Sequence, residues 1–179
     1  SDEALMLAVG NGDESALAVL IGRHIDALYR YALRLTSSPA SAEDLVQDTW
    51  LAVWQKATSF KPTQAKLTTW LHKVLYNKYV DQARKDKHLT FKPDPETEPV
   101  DSQIDADIDG QRAQIWLDTK LSELPSTQRS AVLLAYAQGF GNKDIARIMS
   151  TSVRAVESLL ARARRSLKQD YLKWTQTND

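Results

Sequence analysis

Apolar residues recur along this chain every three or four positions, and nowhere do they alternate with polar ones over the length of a strand. Ala, Leu, Gln, Lys, Arg and Glu dominate the periodic stretches, so the pattern predicts helices throughout. Ser41-Ala42-Glu43-Asp44 has the form of a capping box and predicts a helix start. Beyond it, at about 100° per residue, Leu45, Val46, Thr49 and Val53 face one way, toward a core. Asp44, Gln47, Asp48, Leu51 and Trp54 form a second stripe that mixes carboxylate, amide and large apolar groups. Such a face suits a protein partner, with aromatic anchors inside a polar rim; Trp50 and Trp54 read equally well as core residues. Pro62 interrupts the pattern, and a further helix is predicted over 67–84, with Leu67, Trp70, Leu71, Val74 and Leu75 inward.

The second half repeats the helical pattern in shorter pieces. Leu124-Pro125-Ser126 opens a helix that ends near Gly139, a second is predicted over 142–149, and a third over 153–172. Ser150-Thr151-Ser152 supplies a short turn with a capping hydroxyl, which is helix-turn-helix spacing. In the third helix Val153, Val156, Leu160, Ala163 and Leu167 are expected to pack inward, leaving Arg154, Ser158, Arg162 and Arg165 on the far side. Arginine and serine on one exposed stripe fit a major groove, where Arg reads guanine and anchors phosphate.

Charge divides the chain where hydropathy does. Its 179 residues carry 23 basic and 23 acidic side chains, but residues 89–114 hold 2 basic against 7 acidic, while 115–179 hold 10 against 6. From Phe91 to Gly110 the acidic stretch contains Pro93, Pro95 and Pro99, with Val100, Ile104 and Ile108 as the only aliphatic residues, too few to bury a core. A flexible linker over 89–114 is therefore expected between domains 1–88 and 115–179, giving an all-α chain of two small helical domains. Seven basic groups cluster over 61–88, and Lys73, Asn77, Asp81 and Arg84 line one polar ridge of the 67–84 helix. Lys and Arg suit phosphates and Asn a base edge, while Phe60, Trp70, Tyr76 and Tyr79 are candidates to stack on unpaired bases.

Several chemistries have no support. Zero cysteines and three scattered histidines (His24, His72, His88) provide no thiol, no disulfide and no metal ligand set. Six glycines without a GxGxxG or GxxxxGK[ST] arrangement leave no nucleotide cradle. No run of about 18 apolar residues and no leader segment is present, so the expectation is a cytoplasmic, non-enzymatic protein without metal or cofactor.

In order, these motifs resemble those of a bacterial RNA polymerase sigma factor of the extracytoplasmic-function group. The likeness rests on Ala42-Glu43-Asp44-Leu45-Val46-Gln47-Asp48 with Trp54, and on Phe60 and Thr69-Trp70-Leu71 leading to Asn77, Asp81 and Arg84. It continues through Leu124-Pro125 with Arg129 and through Val156-Glu157-Ser158-Leu159-Leu160-Ala161-Arg162-Ala163-Arg164. The resemblance implies a sigma-2 helical bundle, a linker and a sigma-4 helix-turn-helix domain. It implies that Asp44, Gln47, Asp48, Leu51 and Trp54 dock on the clamp helices of the largest subunit of core RNA polymerase. Phe60, Lys61, Lys66, Lys73, Asn77, Asp81 and Arg84 would hold the minus-10 promoter element as single strand, and Arg154, Ser158, Arg162 and Arg165 would read the minus-35 element as duplex DNA. An anti-sigma factor is the implied regulator. The chain departs from the group at Glu157 and Leu159, where many relatives are basic, and in the glycine-free loop 61–66. Two rivals are a conventional dimeric helix-turn-helix regulator of duplex operators, which leaves the Asp44 to Trp54 stripe without a role, and a helical adaptor with no DNA contact.

Overall fold

The computed structural model describes residues 1–86 and 111–178, and these form two compact units of helices. No strand occurs among the described residues. The first unit consists of α1 (Asp2–Gly10), α2 (Glu14–Thr36), α3 (Pro39–Gln55), a single 3-10 turn (Ala57–Ser59) and α4 (Leu67–Lys85). Helix α2 packs against α1, α3 and α4, and α3 also packs against α4, so α2 runs through the middle of the bundle. Met6, Leu20, Leu28, Tyr31, Leu35, Leu45, Leu67, Leu71 and Leu75 are all but fully buried and come from all four helices.

The starts of α2 and α3 have local causes. Gly12, with φ +88°, turns the chain between α1 and α2 in a conformation that side chains other than glycine rarely adopt. Asp13 then caps α2, its carboxylate accepting from the backbone N–H of Ser15 (2.9 Å) and of Ala16 (3.1 Å). The start of α3 differs from the sequence expectation. The cap is Ser38, whose hydroxyl accepts from Ser41 N–H at 3.3 Å, and Pro39 occupies the first turn, so Ser41 is already inside the helix. A fixed φ and a missing donor suit proline to that place, and Ser38-Pro39 was the stronger start signal.

From Gln111 onward the chain forms α5 (Gln111–Glu123), α6 (Ser126–Val132), a π turn (Leu133–Ala137), α7 (Asn142–Met149) and α8 (Val153–Asn178). Helix α5 begins at Gln111, so residues 111–114, assigned to the linker by composition, belong to it; Ala113 is buried. The rest of the expected linker, 89–110, lies outside the described residues. Arg129 ties α5 to α6: its Nε donates to the Leu121 carbonyl at 2.9 Å, and its Nη2 to those of Ser122 (2.7 Å) and Leu124 (2.9 Å). These carbonyls lie at and just past the C-terminal end of α5, where a cation supplies hydrogen-bond donors and complements the helix dipole.

Between α7 and α8, Ser150 takes a left-handed φ of 53°, Thr151 N–H donates to the Ala146 carbonyl at 3.0 Å, and the Ser152 hydroxyl caps α8 by accepting from Ala155 N–H at 3.0 Å. Ile145, Ile148, Val156, Leu160 and Ala163 are buried, as the helix-turn-helix reading requires. Val153 is a correction: expected inward, it is exposed at the first position of α8, one turn ahead of the buried Val156.

Candidate functional site

Three surfaces carry the candidate residues. On α3, the stripe expected for a partner is outward: Asp44, Gln47, Asp48 and Leu51 are exposed and Trp54 is half-buried. The ambiguity between the tryptophans resolves by position, because Trp50 is buried in the core while Trp54 remains available. The acidic end of the stripe borders a cleft of about 390 Å³ lined by Ser41, Asp44, Gln47, Asp48, Gln82, Lys85 and Asp86. Across it Gln82 Nε2 donates to Asp48 Oδ2 at 3.1 Å. The sequence reading missed the α4 contribution, since Gln82 lies one position off the ridge it traced, and only the packing of α4 on α3 shows that the two faces meet.

The ridge of α4 is also solvent-facing, with Asn77, Asp81 and Arg84 exposed and Lys73 half-buried; Lys61 and Lys66 are exposed in the preceding loop. The aromatic candidates divide differently. Phe60, Tyr76 and Tyr79 are buried, and the Phe60 ring packs at 5.5 Å from that of Trp70. Burial, together with the neighbouring Tyr79, pushes the Tyr76 phenol up to about 12, which keeps it protonated. In this conformation Phe60, Tyr76 and Tyr79 are packing residues, and Trp70, half-buried, is the aromatic of the four that reaches the surface.

On α8, Arg154 and Arg165 are exposed and Arg162 is half-buried, as expected. Ser158 is the exception at 4% exposure. Four successive residues, Ser158, Leu159, Leu160 and Ala161, are buried, and four successive positions span most of the helix circumference. The expectation of a single buried face fails over this turn, and the arginines reach outward there because their side chains are long. A pair absent from the sequence reading lies beside them, with Arg164 Nε donating to the Tyr136 hydroxyl at 2.6 Å.

His24 and His72 have structural partners. His72 Nδ1–H donates to the Thr68 carbonyl at 2.8 Å and its ring lies 5.6 Å from Tyr31, while His24 Nε2 is 2.7 Å from Asp2. Among the described residues no group of three or more His, Cys, Asp or Glu side chains is placed to hold a metal ion, and no helix is long and apolar enough to cross a membrane.

Comparison with known proteins agrees with this division. Residues 20–88 match the family Sigma-70 region 2, and residues 114–167 match Sigma-70, region 4. The ECF RNA polymerase sigma factor SigM of Mycobacterium tuberculosis is 33% identical over 170 residues, an alignment covering 93% of this chain and 83% of the relative. Among solved structures, CnrH in complex with the cytosolic domain of CnrY superposes with a TM-score of 0.69 at 25% identity, covering 94% of this chain and 95% of that one. The sigma factor RpoE in complex with the anti-sigma factor NepR from Bartonella quintana gives 0.65 at 28% identity, over 87% of this chain and 96% of that one. Two helical units in the order region 2 then region 4, with a relative at this identity along nearly the whole length, make the chain a member of the ECF RNA polymerase sigma factor family.

Proposed function

We propose that this chain is a cytoplasmic, non-enzymatic promoter-specificity subunit that joins core RNA polymerase, directs it to promoters with minus-35 and minus-10 elements, and aids their melting. The observation that carries the proposal is the exposed stripe Asp44, Gln47, Asp48, Leu51 and Trp54, present in the same chain as an arginine-bearing helix-turn-helix. A dimeric operator-binding regulator has no use for that stripe. A polymerase subunit needs both surfaces, one to dock on the clamp helices and one to read duplex DNA.

In this reading domain 1–88 serves core polymerase and the minus-10 element, the helices from Gln111 onward serve the minus-35 element, and the residues between link them. Lys61, Lys66, Lys73, Asn77, Asp81 and Arg84 follow the melted strand, with cations on phosphates and the amide toward a base. Opening the duplex costs about 1.4 kcal/mol of stacking per step, which stacking on an aromatic such as Trp70 and capture of an extruded base offset in part. Arg154, Arg162 and Arg165 contact the minus-35 duplex, and no cofactor is required. By analogy with RpoE bound to NepR, an anti-sigma factor holds the free chain inactive.

Run-off transcription with purified core polymerase on genomic fragments tests the proposal. Discrete start sites that depend on adding the chain are expected. Tight binding of the chain alone to duplex operators, with no change in initiation, would instead indicate a conventional regulator.

A further inference from the structure

Arg164 is not part of the arginine stripe on α8. At about 100° per residue it lies roughly 110° around the helix from the axis shared by Arg154, Arg162 and Arg165. A helix with its side chains is about 10–12 Å across and the major groove is about 12 Å wide. When the stripe faces the groove floor, a side chain turned that far looks toward a phosphate wall. Arg164 is also eleven residues into α8, about 16 Å from its start, where a helix that enters the groove by its N-terminal end is leaving it.

What distinguishes Arg164 from an ordinary surface arginine is how it is held. Its Nε donates to the Tyr136 hydroxyl at 2.6 Å, and its guanidinium carbon lies 5.5 Å from the centre of the Tyr136 ring. Tyr136 belongs to the π turn that follows α6, closed by Gln138 N–H to the Leu133 carbonyl (3.0 Å) and Phe140 N–H to that of Leu134 (2.9 Å). Leu133 and Leu134 are buried anchors of the turn, yet Tyr136 itself is 62% exposed. The ring is thus fixed at its base and open at its tip. Among the described residues no carboxylate pairs with Arg164, so its two terminal nitrogens are left to donate. The Tyr136 oxygen accepts from Nε, which leaves the phenol's own hydrogen to donate as well. Two guanidinium nitrogens from α8 and a phenol O–H from the π turn, held together by the Nε–hydroxyl bond, form a fork that suits the oxygens of one phosphate.

We propose that Tyr136 is a positioning residue that presets Arg164 to grip a backbone phosphate at the edge of the duplex element under α8. The proposal rests on the reading of α8 as the promoter-reading helix. It assigns the pair to affinity and register, since phosphate contacts fix orientation without reading bases.

The test uses polymerase holoenzyme assembled from the full chain and core enzyme, with a promoter fragment recovered by run-off transcription, and measures equilibrium binding between about 50 and 200 mM KCl. Arg164→Ala should weaken binding about tenfold and flatten the plot of log affinity against log salt by about 0.9, the share of one phosphate. Tyr136→Phe, which keeps the ring and removes the hydroxyl, should cost about threefold in the parent and nothing further in the Arg164→Ala background. Arg164→Lys, which keeps the charge without the fork, should retain the salt slope and lose affinity. An unchanged slope in Arg164→Ala, or losses that multiply in the double variant, would overturn the proposal and leave the pair as a stack joining the π turn to α8. That result with a parent holoenzyme that still initiates leaves the promoter-reading role intact, whereas a parent that never initiates removes both.

Discussion

Trp50 is 7% exposed and Leu51, the next residue, is 56% exposed, so adjacent large apolar side chains on α3 are committed to different tasks. Trp50→Ala empties a core position and should cost about 3–5 kcal/mol in urea denaturation. Leu51→Ala should leave the unfolding midpoint nearly unchanged and weaken binding to core polymerase tenfold or more, as loss of an interface anchor does. Asp2 gives a pH-dependent counterpart at the same scale. Burial alone would raise its carboxyl, but hydrogen bonds from Arg23 and His24 and their charges outweigh that and hold it below its ordinary value of 3.8. A carboxyl lowered in the folded state adds stability that is present above pH 3.8 and lost as pH falls through the lowered value. Asp2→Asn should therefore be slightly less stable than the parent at neutral pH, by at most about 1 kcal/mol for a partly exposed pair. That difference should vanish in urea titrations carried well below pH 3.8.

Helix boundaries show what periodicity leaves undecided. The 3.6-residue repeat located α3, α4, α7 and α8, because burial of one face dominates their energetics, but it says nothing about which hydroxyl closes a terminus. The capping box pointed to Ser41, yet it is the Ser38 hydroxyl that accepts from an orphan N–H, that of Ser41 itself. Ser38→Ala should cost about 1 kcal/mol, and Ser41→Ala less than about 0.5 kcal/mol, a contrast that thermal or urea unfolding reads directly. The exposure of the candidate residues was legible to the same depth. Outward stripes on α3, α4 and α8 followed from helical geometry, since a long charged side chain opposite a core face has nowhere else to go. Phe60 and Ser158 were not legible. Their burial depends on what the chain packs against them in three dimensions, and short-range spacing carries no record of that. The π turn at 133–137 escaped for a related reason, as its wider hydrogen-bonding pattern leaves no compositional mark.

At the scale of the whole chain the two units are unequal. Among the described residues, nine Leu, Met and Tyr side chains in α1 to α4 are less than 2% exposed, against Leu133, Leu134, Ile145 and Ile148 from Gln111 onward. A small domain buries a smaller fraction of its surface, so each anchor it lacks is a larger share of its stability. Fragment 1–88 should therefore unfold cooperatively at a higher temperature than fragment 111–179 when both are followed by circular dichroism. The boundary also matters within the second unit. Composition suggested a start at 115, but α5 begins at Gln111 and buries Ala113, so a fragment beginning at 115 lacks the first turn of α5. It should melt below fragment 111–179. Only fragment 1–88 should compete with the full chain for core polymerase, because the stripe from Asp44 to Trp54 lies wholly within it. Competition by fragment 111–179 at similar concentration would place the main docking surface on the wrong unit.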